Sequence, residues 1–184
     1  MKPNKLIAAL IITTALFLPA AARAQAINGS LHTVTNDYNQ RFYQRNAQIW
    51  PEVARQQQAR FGLPLNPNYG FYDYANQKIP RGSIEISIAG TLDGCDHGAN
   101  SFSASISRSI CPGRIVISTG TGAPSVTQST LCAVFLIDED MRQQFPHERY
   151  HTSYSYDPAQ RTITFRTIMN GAQDPVCNRT VNIR

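Results

Sequence analysis

Four cysteines, Cys95, Cys111, Cys132 and Cys177, constrain what this 184-residue chain can fold into more than any other feature, because the segment ahead of them reads as an export signal. Lys2 and Lys5 precede a mostly apolar run of 13 positions, Leu6 to Leu18, and Pro19 leads into an alanine-rich stretch closing with Ala22-Arg23-Ala24. A basic, an apolar and a small-x-small region in that order is the pattern of a secretory signal peptide. The apolar run falls short of the roughly 20 residues that span a hydrocarbon core. Removal of residues 1–24, with Gln25 as the new first residue, is therefore expected. No later segment approaches transmembrane length, so no membrane span is expected after cleavage. The expected destination is the periplasm or the secreted medium.

An even cysteine count in an exported chain reads as a set of disulfides. Three pairings are possible. Spacing favours Cys95 with Cys111, whose short intervening segment a hairpin could close, and Cys132 with Cys177. Zinc ligation by these thiols is not indicated, since no two lie closer than 16 positions and no C-x-x-C knuckle exists.

Cleavage also changes the charge argument. The pI near 9.2 belongs to the whole chain, but Lys2, Lys5 and Arg23 leave with the signal, and 14 basic residues then face 12 acidic ones, a formal +2. Net charge gives no reason to expect a nucleic-acid partner. Lys78 is the one lysine left among 13 arginines. About 160 residues suffice for a single domain with a real core.

Along residues 25–62 the pattern is helical. Leu31, Val34, Tyr38, Phe42 and Ile49 form one stripe, with Asn28 and Ser30 available as N-caps. Pro51 either kinks this helix or opens a second one to Phe61, which Gly62 ends. Residues 63–82 hold Pro64, Pro67 and Pro80 with Tyr69, Phe71, Tyr72 and Tyr74, and fit neither regular period. They read as a long ordered loop.

Residues 83–184 read as sheet. Ile84, Ile86 and Ile88 alternate with smaller or polar residues, and Ser101 to Ile110 sets five serines against Phe102, Ala104 and Ile106. Arg114 to Thr119 reads as a further strand, and Leu131 to Ile137 as a doubly covered strand or a short buried helix. Asp138 could open a one-turn helix reaching Phe145. Arg149 to Tyr156, a turn at Asp157-Pro158, and Arg161 to Met169 form a hairpin, and Thr180 to Ile183 a last strand. The expected fold class is α+β: an N-terminal helix or kinked helix pair, then a mostly antiparallel sheet stapled by two disulfides.

The sharpest chemical pattern is His147-Glu148-Arg149-Tyr150-His151, which has the H-E-x-x-H form of zinc metallopeptidases. That chemistry needs a helix, where residues four apart share a face and a third ligand completes the site. Pro146 and the strand-like sequence that follows oppose a helix here. As a strand, the same residues put His147, Arg149 and His151 on one face. Two imidazoles flanking a guanidinium could bind an anion or work as acid and base on a phosphodiester. Equally, they could be the polar outer face of a hairpin, continued by Ser153 and Ser155.

Asp93, Asp96 and His97 in the loop beside Cys95 could contact a cation, though such loops are usually turns. Tyr69, Phe71, Tyr72 and Tyr74 offer contact area with a polar end, and with Arg149 they make the candidate binding set. No nucleophile elbow, phosphate loop or dinucleotide fingerprint appears. No cofactor and no metal is expected.

These features favour an exported, non-catalytic protein that binds a partner or assembles in the envelope or at the surface, the partner being an envelope or extracellular protein or a glycan. The alternative is a secreted hydrolase of phosphodiester or peptide bonds using His147, Glu148, Arg149 and His151. An inhibitor or immunity protein against a secreted enzyme is a third possibility.

Overall fold

A computed structural model describes residues 25–33, 40–61, 73–90, 95–96, 106–120, 122–136 and 146–183. The signal segment 1–24, Tyr69, Phe71 and Tyr72, Asp93 and His97, residues 101–105 and the stretch 137–145 lie outside the described residues.

The described residues build two antiparallel sheets and two α-helices, and both expected disulfides, Cys95–Cys111 and Cys132–Cys177, are formed. Such bridges suit an oxidising compartment. The five-stranded sheet has the order β2 (His32–Thr33), β3 (Asp73–Ile79), β4 (Gly82–Ile88), β5 (Ile106–Thr119) and β6 (Ser125–Leu136). The four-stranded sheet has the order β1 (Ile27–Ser30), β7 (Tyr150–Asp157), β8 (Thr162–Met169) and β9 (Ala172–Asn182). The main core joins the two sheets: Ala75, Ile84, Ile86, Ile115, Ile117 and Leu131 from one meet Tyr154, Tyr156, Ile163, Phe165 and Val181 from the other. Helices α1 (Gln40–Ile49) and α2 (Pro51–Phe61) cover the opposite face of the larger sheet, where Ile49, Trp50 and Val53 pack on Tyr74, Ala89 and Val116. The result is helices on sheet on sheet. No helix among the described residues is long and apolar enough to cross a membrane.

This corrects the expected α+β layout to a mostly β one. The stripe attributed to a helix from Ser30 to Ile49 contains Leu31, which is 2% exposed. Leu31 marks where an extended segment leaves one sheet, as β1, and enters the other, as β2, with its N–H donating to the Thr152 carbonyl at 2.8 Å. A second correction falls on the loop expected over 63–82, since 73–79 is the strand β3. Its alternation is hidden because Asp73, Tyr74 and Ala75 are all buried, Tyr74 toward the helices and Ala75 toward the other sheet. A strand covered on both faces loses the apolar-polar rhythm that identifies a half-exposed one.

The described part of the strand expected at 101–110, from Ile106, and the strand expected at 114–119 belong to one element across 106–119, running through Cys111-Pro112-Gly113. Proline is tolerated there because the pairing of β4 runs out at Ile88 opposite Gly113. The last strand begins at Ala172 rather than Thr180, after a tight turn at Asn170-Gly171 where both residues have positive φ, 55° and 76°. Gly29 permits a close approach between β1 and β7: a β-carbon there would lie 2.5 Å from Cζ of Tyr154. The Tyr154 hydroxyl crosses the core to donate to Gln77 Oε1 at 2.7 Å.

Candidate functional site

His147–Arg149 forms a single 3-10 turn, and β7 starts at Tyr150. The motif is thus neither the α-helix that zinc chemistry needs nor one continuous strand, and the face proposed to unite His147, Arg149 and His151 is interrupted. Arg149 is used locally: its guanidinium donates to the Asn170 side chain, and Tyr150 donates to the same oxygen at 3.1 Å. The Arg149 carbonyl accepts from Gly171 N at 3.0 Å. Arginine therefore clamps the β8–β9 turn. Glu148 is exposed, and His151 points away from the core, beside Ile168 of β8. Among the described residues no three His, Cys, Asp or Glu side chains gather as a metal-holding group. Asp96 forms a backbone bridge to Ile110 next to the Cys95–Cys111 bond.

Tyr74, the described member of the aromatic set, is 5% exposed and donates to Glu85 Oε1 at 2.8 Å. Arg45 of α1 grips the same carboxylate with both ends of its guanidinium. Alongside, the Ser87 hydroxyl accepts from Trp50 Nε1 at 2.9 Å and donates to Asn46 Oδ1. Burial alone would push the Glu85 carboxyl up, but the hydrogen bonds from Arg45 and Tyr74 and the arginine charge outweigh it and hold it below the ordinary range. Burial, reinforced by Glu85, raises the Tyr74 phenol well above its usual value. Every group in this cluster has a partner within it, so it fastens the helices to β4 and offers nothing to a ligand.

The outer face of the four-stranded sheet is different. Alternation turns Thr152, Tyr154 and Tyr156 inward and leaves His151, Ser153 and Ser155 outward. Register then assembles polar rows that no single segment contains. Asn28, Ser155, Thr164 and Thr180 stand opposite one another across all four strands, and Ser30, Ser153 and Arg166 form the next row. Asp157, Thr162 and Asn182 make a third. Thr164 and Thr180 share a hydrogen bond at 3.1 Å, and Ser153 donates to the Arg166 carbonyl at 3.2 Å. A groove of ≈ 550 Å³ runs over the first two rows. Arg166 is exposed in it, with no ionic partner among the described residues. Ser153 and Ser155 were visible in the sequence as the polar side of the hairpin, and Thr162, Thr164 and Arg166 alternate in the same way. What was not visible is their alignment with Asn28 and Ser30, which the sequence presents as helix caps.

Comparison with known protein families, with characterised proteins and with solved structures finds no match for this chain.

Proposed function

We propose that this is an exported, non-catalytic binding protein that meets a glycan of the cell envelope or its surroundings through the outer face of its four-stranded sheet. The carrying observation is the rows of hydroxyl and amide groups around Arg166. Adjacent strands stand about 4.8 Å apart, and each hydroxyl both donates and accepts. A sugar polymer, whose own hydroxyls do the same, can bond to such a lattice at many points. The guanidinium adds a fork for a carboxylate or phosphate substituent. A protein partner is less well served, because interface energy concentrates in buried aromatic and aliphatic anchors. Val126 and Val176, the exposed large apolar residues among those described, lie outside the groove.

The test is co-sedimentation with insoluble cell-wall polysaccharide, together with an immobilised glycan panel, for the wild type and the R166E and S155A/T164A variants. Wild-type binding is expected to fall at least tenfold in each variant with the thermal melt unchanged. Equal binding by all three, or binding only to protein ligands, overturns the proposal. Cleavage of a phosphodiester or peptide substrate that disappears in H147A/H151A would replace it with the secreted hydrolase reading.

A further inference from the structure

A second concavity, unrelated to the sheet face, opens at one end of the sandwich. It has a volume of ≈ 660 Å³, within the range of small-molecule sites. Three chain segments meet there: the start of β1, the turn between β3 and β4, and the turn after β7. Its floor is the uncovered rim of the main core, where Ile27 and Ile79 pack only partly buried against the core beside Tyr156. Its rim carries Lys78 and Arg81, both exposed and without an ionic partner among the described residues. None of the described residues lining the cleft is acidic. The nearest carboxylate in sequence, Asp157, is engaged in its own turn, accepting from Ala159 N at 2.8 Å and Gln160 N at 3.0 Å. An apolar floor beneath two unneutralised cations selects one ligand chemistry: a short aliphatic chain carrying an anionic head.

The geometry points to this cleft as a binding site for an anionic amphiphile, with the chain laid on Ile27, Ile79 and Tyr156 and the carboxylate or phosphate held by Lys78 and Arg81. The cations provide selection by charge, and displacement of water from the aliphatic floor provides affinity. Arg81 lies on the exposed β3–β4 turn and Lys78 is an exposed residue near the end of β3, both outside the core, so replacing their side chains removes the head-group contacts while leaving the fold intact.

Titration calorimetry with dodecanoate, dodecyl phosphate, dodecyltrimethylammonium and dodecyl maltoside, each below its micellar concentration, tests this on purified protein freed of any tag. Dodecanoate or dodecyl phosphate is expected to bind at one site, and the stronger of the two identifies the head group. K78Q/R81Q should raise Kd at least tenfold with an unchanged circular-dichroism melt. I79S, which keeps both cations, should weaken both anionic ligands in parallel. Absence of binding by either anion, equal binding of the cationic ligand, or an unchanged Kd in K78Q/R81Q would overturn the assignment. None of these outcomes bears on the glycan face, which R166E tests separately.

Discussion

Glu85 and Ser87 occupy the polar half of a strand whose other half is Ile84, Ile86 and Ile88, and on pattern alone that half faces water. In the folded protein Glu85 is 4% exposed and Ser87 fully buried, since the helices lie over them. The residues that neutralise them, Arg45 and Asn46 on α1, Trp50 beyond it and Tyr74 on β3, are scattered through the sequence and carry no local mark of a shared purpose. That is why the alternation was legible and its burial was not. The arrangement makes E85Q a sharp probe. The substitution keeps the shape but leaves Arg45 without its charged partner, a loss of about 1–2 kcal/mol at neutral pH. Because the folded carboxyl titrates below its unfolded value, the stabilisation is complete above the ordinary carboxylate range and disappears as pH falls through the folded value. Urea denaturation from pH 7 to pH 2.5 should therefore show the wild type losing its advantage over E85Q in acid. A gap that stays constant with pH would mean the carboxylate is not what the helices are held by.

At the scale of elements, what the sequence announced depended on chemistry confined to a few neighbouring residues. Pro51 opens α2 as its first helical residue and the helix ends at Phe61, as expected, and Asp157-Pro158 marks the turn between β7 and β8. Elements covered on both faces over part of their length, such as β3 at Asp73, Tyr74 and Ala75, or with a proline at the end of a ladder, such as β5, gave misleading patterns. The Asn170-Gly171 pair is a strong hairpin signal that would have placed the start of β9. That strand is an edge, and its ladder with β8 shifts between Phe165 and Thr167, so Pro175 and Cys177 sit in the irregularity. A bulged, proline-bearing edge resists pairing with another chain. The Cys132–Cys177 bond and the Arg108–Asp174 ion pair at 3.0 Å tie this edge to the far end of the β5–β6 hairpin, joining the two sheets covalently. With a sequence separation of 45 the bond contributes about 4 kcal/mol on the chain-entropy account, against about 3 for the separation of 16 in Cys95–Cys111. In urea titrations C132A/C177A should accordingly lose more stability than C95A/C111A. The reverse order would show that the first bond holds the β5 region in a way loop closure does not describe.

For the molecule as a whole, two sheets and a helical layer share the central strands, and protection should be graded from that centre outward. Ile84, Ile86 and Ile115 are fully buried in β4 and β5, each paired on both sides, whereas β1 is a four-residue edge held on one side. Native-state hydrogen exchange is expected to leave the amides of β4 and β5 protected to the global unfolding limit while those of β1 exchange through local opening. Uniform protection across both would contradict this gradient. The pairing of β1 with β7 is also the part of the topology least available to sequence reasoning, for nothing near Asn28 names Ser155 as its neighbour.

That same pairing governs how the protein can come into being. Ile27 meets Tyr156 across 129 positions of chain, so the strand synthesised first has no partner until nearly everything else exists. Closing so long a loop for four residues of ladder yields little until the hairpin of β7 and β8 is already in place. The docking of the amino-terminal end onto a nearly finished sandwich is therefore expected to come late in refolding, and a nascent chain stalled before that hairpin would leave Leu31 and the inner face of the larger sheet without the partners that cover them in the finished core.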